Sequence, residues 1–137
     1  MIVIIDTNVL LSALHSESGA PAKVLEGWYA GRFRLATSRE QIAEFKRAAG
    51  YVKLRRILPR HAIGHVVNRL GQAELLLRRL RRIGDSPDPG DDFLLAMAAA
   101  SGADYLVTGD KALLGLQRIA DTRIVSARRF AAILARY

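Results

Sequence analysis

Ile2-Val3-Ile4-Ile5-Asp6-Thr7-Asn8 opens the chain, and its reading decides the fold. Four β-branched apolar residues in a row are too few for a helix and lack the alternation of a strand with one wet face. Such a run reads as a strand buried on both sides, as a parallel sheet covered by helices requires. Asp6-Thr7-Asn8 ends it with polar turn formers. A second run of the same kind, Tyr105-Leu106-Val107-Thr108, ends in Gly109-Asp110. A short Arg123-Ile124-Val125 predicts the last strand, and Phe33 to Thr37 a further one.

Between these strands the apolar positions change period. Val24, Leu25, Trp28 and Tyr29 recur at helical spacing after the Ser16 to Pro21 loop and stop at Gly31. Ser38 with Gln41, or Thr37 with Glu40 one residue earlier, forms a capping box that opens the next helix. Pro59 can start another, in which Val66, Leu70, Ala73, Leu77 and Leu80 follow at intervals of four and three, the stripe of a core-facing helix. Gly84 to Gly90 reads as a loop within a domain. Asp91 to Ser101 reads as a helix rich in Leu and Ala, and Ala127 to Arg136 as the last helix. Strands alternating with helices predict an α/β sandwich around a parallel sheet, with residues 1–137 forming a single domain.

Composition narrows the chemistry. Half of the 137 residues are hydrophobic and a quarter charged, which fits a globular domain rather than a disordered chain. No apolar run is long enough to cross a bilayer, and the start lacks the basic region and cleavage site of a secretory signal, so a cytoplasmic location is expected. The absence of cysteine excludes disulfides, thiolate zinc sites, iron–sulfur clusters and cysteine nucleophiles. Reactive groups must therefore be oxygen or imidazole.

The net charge of +8 is unevenly spread. Phe45 to Gly84 carries eleven Lys or Arg against one acid, Glu74, whereas Asp85 to Asp110 carries six Asp and no base. The first segment suits a polyanion and the second a cation, although Arg78, Arg79, Arg81 and Arg82 taken alone also fit a solvated helix face. In open α/β sheets the functional crevice lies beyond the carboxyl ends of the strands, where Asp6 and Asp110 stand. Each acid alone has a plainer role. Asp6 and Asp110 can form turns or cap helices, and Asp91 can cap the helix it opens. Glu44 is different, because with Ser38 as N-cap it falls in the second helical turn, past the positions where an acid helps a helix end.

In order, Ile-Ile-Asp6-Thr-Asn8-Val-Leu, Ser38 to Glu44, Asp91-Asp92 before an Ala-rich helix, and Leu-Val-Thr108-Gly-Asp110-Lys together resemble a PIN domain. The likeness spans Ile2 to the Phe130 region and is greatest to the toxins of bacterial and archaeal toxin–antitoxin systems of the VapC type. It implies a three-layer α/β/α sandwich with about five parallel strands in the order 3-2-1-4-5, which sets Asp6 and Asp110 on neighbouring strands. It also implies a metal-dependent endoribonuclease whose acidic cluster is Asp6, Glu44, Asp91 and Asp110, with Asn8 and Thr108 orienting ligands or water. Asp88-Pro-Gly-Asp91-Asp92 departs from the family, which often has another acid where Gly90 stands. Asp91 is the chosen ligand and Asp92 the contender; Ala98 stands at the offset where the family commonly places a small residue. The further implications are RNA as substrate, a small antitoxin as partner and a homodimer or higher homo-oligomer.

Physical chemistry supports this independently. Carboxylates cannot converge unless they take up protons or bind a cation, and all-oxygen donors favour Mg²⁺ or Mn²⁺ over zinc. His61 and His65, four apart, have no acid nearby in sequence to complete a metal site, and with His15 they read as surface or RNA-facing groups. Trp28, Tyr29, Tyr51 and Phe93 read as core rather than as base-stacking platforms. A haloacid-dehalogenase phosphotransferase wants a second Asp where Asn8 stands, and a receiver domain wants a lysine with no clear counterpart. A PIN-like module that binds RNA or a partner without cleaving it remains the alternative, against which the intact acids argue.

Overall fold

The computed structural model of the protein describes residues 1–51, 56–77 and 92–137. In chain order these form β1 (Ile2–Ile5), α1 (Thr7–His15), α2 (Ala20–Tyr29), β2 (Arg34–Ser38), α3 (Arg39–Ala49), α4 (Arg60–Gly71), β3 (Leu75–Leu77), α5 (Asp92–Ser101), β4 (Tyr105–Val107), α6 (Lys111–Leu116), β5 (Arg118–Ile119), β6 (Thr122–Val125) and α7 (Ala127–Ala135). The strands make one sheet in the order β3-β2-β1-β4-β6-β5. Every pairing is parallel except that of the two-residue β5 with β6. The expected order 3-2-1-4-5 is thus present, with β6 as its fifth member and the small antiparallel β5 added at the edge.

β1 lies at the centre and shows why its sequence does not alternate. Val3 and Ile5 join the core formed with Leu10, Trp28, Phe45, Val66 and Phe130, so α1 to α4 and α7 cover one face of the sheet. Ile4 joins Leu94, Leu95, Met97 and Leu113 on the other face, under α5 and α6. Leu35 and Ala36, Leu106 and Val107, and Ile124 and Val125 divide in the same way. This is the three-layer arrangement expected of a parallel sheet.

The helical stripe from Val66 to Leu80 is corrected. α4 ends at Gly71, and Leu75–Leu77 turns into β3, paired in parallel with β2 through Ala36, Thr37 and Ser38. Three consecutive leucines carry no period of their own, so the edge of β2, which offers them a hydrogen-bonding ladder, decides their state. Leu80 lies outside the described residues. α1 is a second departure: Asp6-Thr7-Asn8 ends the strand as expected but also starts a nine-residue helix. Tyr51 is exposed rather than core, while Trp28 is buried and Phe93 packs against the second cluster.

Candidate active site

Asp6 sits where β1 becomes α1. Its N–H continues the strand ladder by donating to Val107 O (2.8 Å), and its carbonyl accepts from Val9 N (2.9 Å) to begin the helix. The side chain is 4% exposed. Oδ1 accepts from Asn8 N (3.3 Å) as the helix cap, and Oδ2 accepts from the Thr108 hydroxyl (2.7 Å) across the neighbouring strand. Thr108 is itself fully buried and fixed on both sides: its N–H donates to Val125 O (3.0 Å), and its Oγ1 accepts from Asp110 N (3.1 Å). Asp110 then caps α6, Oδ1 accepting from Leu113 N (3.0 Å). Capping occupies one oxygen of Asp110, and the other accepts no hydrogen bond among the described residues.

Glu44 reaches the same corner by way of a buried glutamine. Ser38 caps α3 by accepting from Gln41 N (3.1 Å), so the later of the two expected cap positions is the one used, without the reciprocal bond of a capping box. The Gln41 side chain does not return to Ser38. It is wholly buried, donates from Nε2 to Ile5 O, and accepts from Thr37 Oγ1 (2.6 Å). The first turn of α3 is thereby pinned to the last residue of β1, and Glu44, three residues on, faces the start of α1. The Thr7 hydroxyl is buried there with no partner at hydrogen-bonding geometry among the described residues. It is nevertheless close enough to the Glu44 carboxyl to favour its charged form.

Burial raises the Asp6 pKa above the ordinary carboxylate value, against the opposing bonds from Thr108 and Asn8, and the charge of Asp110 raises it further. Burial raises Glu44 too, helped by the charge of Asp6 and opposed by Thr7 and Arg47. The charge of Asp110 thus acts on Asp6, and that of Asp6 on Glu44, across the β4–α6 turn, β1 and α3. Among the described residues, no three Asp, Glu or His come close enough to form a metal cage alone. Asp91 lies outside the described residues, as do Arg78, Arg79, Arg81 and Arg82. Asp92 opens α5, which leads into parallel β4 and so starts at the carboxyl edge of the sheet, the edge that holds Asp6. A hard divalent cation fits this donor set: every donor is oxygen, burial pushes up the carboxyls of Asp6 and Glu44, and Thr7 Oγ1 is a buried oxygen beside them with no partner at hydrogen-bonding geometry among the described residues.

The structure therefore brings Asp6 together with Asp110 and with Glu44. Thr108 touches Asp6 directly, whereas Asn8 contributes its backbone N–H and leaves its side chain exposed. His65 packs edge-on against Tyr29, with ring centroids 4.9 Å apart, on the helix layer. Thr7 and Gln41 are the members of this corner that the sequence does not single out. Their types signal a turn and a cap, and only the closure of α3 onto β1 gives them a second role.

In mostly parallel, open α/β sheets ligands bind beyond the carboxyl ends of the strands, and Asp6 and Asp110 stand at that edge here. A family model described as the PIN domain matches residues 2–112, more than half of the chain, which therefore belongs to the PIN-domain family. PIN domains are in general nucleases, acting on nucleic acids and generally using divalent metal ions. No curated protein matches the chain. No helix among the described residues is long and apolar enough to cross a membrane.

Proposed function

We propose that this chain is a metal-dependent endoribonuclease, a single PIN domain over residues 1–137, that hydrolyses phosphodiester bonds of RNA as the toxin of a type II toxin–antitoxin pair. The observation that carries the reading is the buried Asp6, held by Thr108 and raised by burial and by the charge of Asp110. Asp6, Glu44, Asp91 and Asp110 would hold Mg²⁺ or Mn²⁺. A cation bound there supplies a Lewis acid for the phosphoryl oxygens and activates water for attack at phosphorus. The chain's own residues fix the geometry: Thr108 and the Asn8 N–H orient Asp6, Gln41 sets the helix that carries Glu44, and α6 holds Asp110 by its cap. Basic residues flanking the acids, Lys46 and Arg47 on α3 among them, offset the repulsion of RNA by the acidic corner. The toxin role, the cytoplasmic location, self-association and a small antitoxin that sets a cationic side chain among the carboxylates rest on family resemblance.

Cleavage of single-stranded RNA with Mg²⁺ or Mn²⁺ tests the enzyme. Wild type should cut and Asp6→Asn should not; a folded wild type that binds RNA but never cuts it would make the chain a binding module. Growth arrest on expression, dependent on Asp6, tests the toxin role, and harmless expression of an active nuclease would remove it.

A further inference from the structure

A cavity of about 420 Å³ lies on the far edge of the sheet, between the β5–β6 hairpin and the first turn of α7, lined by Gln117, Arg118, Arg123, Ile124, Val125 and Arg129. Arg118 and Arg123 are direct cross-strand partners, so two guanidinium groups share one face of a two-strand ribbon, an unfavourable pairing unless an anion lies between them. Arg129 faces them from α7. No carboxylate among the described residues lies within 4.0 Å of any of the three, the single such ion pair being Arg34 with Glu74. Asp104 and Asp121 line the adjoining cavity, which shares Arg118 and Arg123, and both stay beyond ion-pair distance of the guanidinium groups; Asp104 Oδ2 accepts from Ile2 N instead. The hairpin is also strained, since Gln117 and Ala120 adopt φ values of 63° and 50° without being glycine.

We propose that this arginine cavity binds backbone phosphates of a polynucleotide whose chain continues to the Asp6 corner. The two places are structurally linked. Val125, in the cavity wall, accepts from Thr108 N (3.0 Å), and Thr108 holds Asp6 (2.7 Å). β6 stands two inter-strand steps from β1, about 10 Å, and Arg123, in register with Tyr105 and Val3, lies three residues, about 10 Å more, toward the amino edge from Asp6. Arginine forks suit phosphodiester oxygens, and a strand that spans both places must be longer than the bond being cut, so this site selects for substrate length. The inference rests on the cleavage reading for its orientation but not for binding itself.

The test is binding of a labelled single-stranded RNA to Asp6→Asn protein, and to wild type in EDTA, across a salt series. Arg123→Ala/Arg129→Ala should weaken binding about tenfold and make the log–log salt slope shallower by about 1.4, the value for two single-strand phosphate contacts. Arg128→Ala, on the same helix but outside the cavity, removes a charge and should change affinity less than about twofold. The charge-preserving pair Arg123→Lys/Arg129→Lys should restore most of the slope. For cleavage, the double alanine variant should raise KM for long RNA more than for a dinucleotide. Equal effects of the double variant and Arg128→Ala would overturn the proposal, as would competition by inorganic phosphate as effective as that by RNA at equal ionic strength. If the slopes differ but no RNA is ever cut, the cleavage reading falls and this site stands. If RNA is cut and the slopes coincide, this site alone falls.

Discussion

Two aspartates tie β1 to β4, one at each end of the same strand pair. At the amino edge Asp104 Oδ2 accepts from Ile2 N (2.8 Å); at the carboxyl edge Asp6 Oδ2 accepts from Thr108 Oγ1 (2.7 Å), and each bond joins residues 102 apart. The bonds are nearly alike, and the surroundings are not. Asp104 is exposed, whereas Asp6 is buried and shares its corner with Asp110 and Glu44. A strand-bridging carboxylate is therefore a structural fastener by default. Burial among other carboxylates is what prepares it for a cation.

The widest separation between the two ends should appear in catalysis. Asp6→Asn should lower RNA cleavage more than about 100-fold, beyond the usual loss from an outer-shell partner, while Asp104→Asn should leave it within a few-fold, as initial rates on one RNA would measure. Comparable losses would abolish the distinction. Asp91→Asn should likewise cost far more activity than Asp92→Asn. Equal losses there would mean that both bind metal or that the register is displaced.

A smaller effect concerns what holds the carboxyl edge together. Gln41→Leu leaves the Ile5 carbonyl and the Thr37 hydroxyl unpaired in the core, and should cost about 2 kcal/mol in urea unfolding. An unchanged midpoint would show that α3 does not depend on this clasp.

Linkage to pH gives a third contrast. The folded-state pKa values of Asp6 and Glu44 lie above their ordinary values of 3.8 and 4.5, so the folded protein binds more protons than the unfolded chain in that interval. Stability of the metal-free protein should therefore fall as pH rises from those values through the raised ones, and stay lower above them. Asp6→Asn should flatten that fall and Asp104→Asn should not, in melts across the acid range without metal. An equally steep fall in Asp6→Asn would remove Asp6 as its source.

The smallest effect is expected at Thr7. Thr7→Val removes a buried hydroxyl that makes no well-formed hydrogen bond but favours the charged form of Glu44, so the two effects oppose and stability of the metal-free protein should change by less than about 1 kcal/mol. Destabilisation beyond that size would reveal a partner for the hydroxyl.

Much of this corner is legible in the sequence because its determinants are local. Ile2 to Asp6 and Tyr105 to Asp110 each carry strand, stop and carboxylate within a few residues, and the layer order follows from their unbroken apolarity. Ser38 with Gln41 fixes the start of α3 and hence the turn on which Glu44 falls. Long-range closure is not legible. Leu75 to Leu77 becomes a strand because β2 presents an edge, and Gln41 becomes a clasp because β1 ends beneath it. The arginines of β5 and β6 meet through a hairpin whose left-handed residues are Gln117 and Ala120, neither of which advertises a turn.

Calorimetric titration of Mn²⁺ into wild type, Asp6→Asn and Asp104→Asn, with melting curves on the same samples, tests the central claim most directly. Wild type and Asp104→Asn should bind and gain about 2.7 kcal/mol of stability at a hundredfold excess over Kd, while Asp6→Asn should bind at least about tenfold more weakly. A wild type that gives no heat of binding and melts at the same temperature with and without the ion would contradict the account.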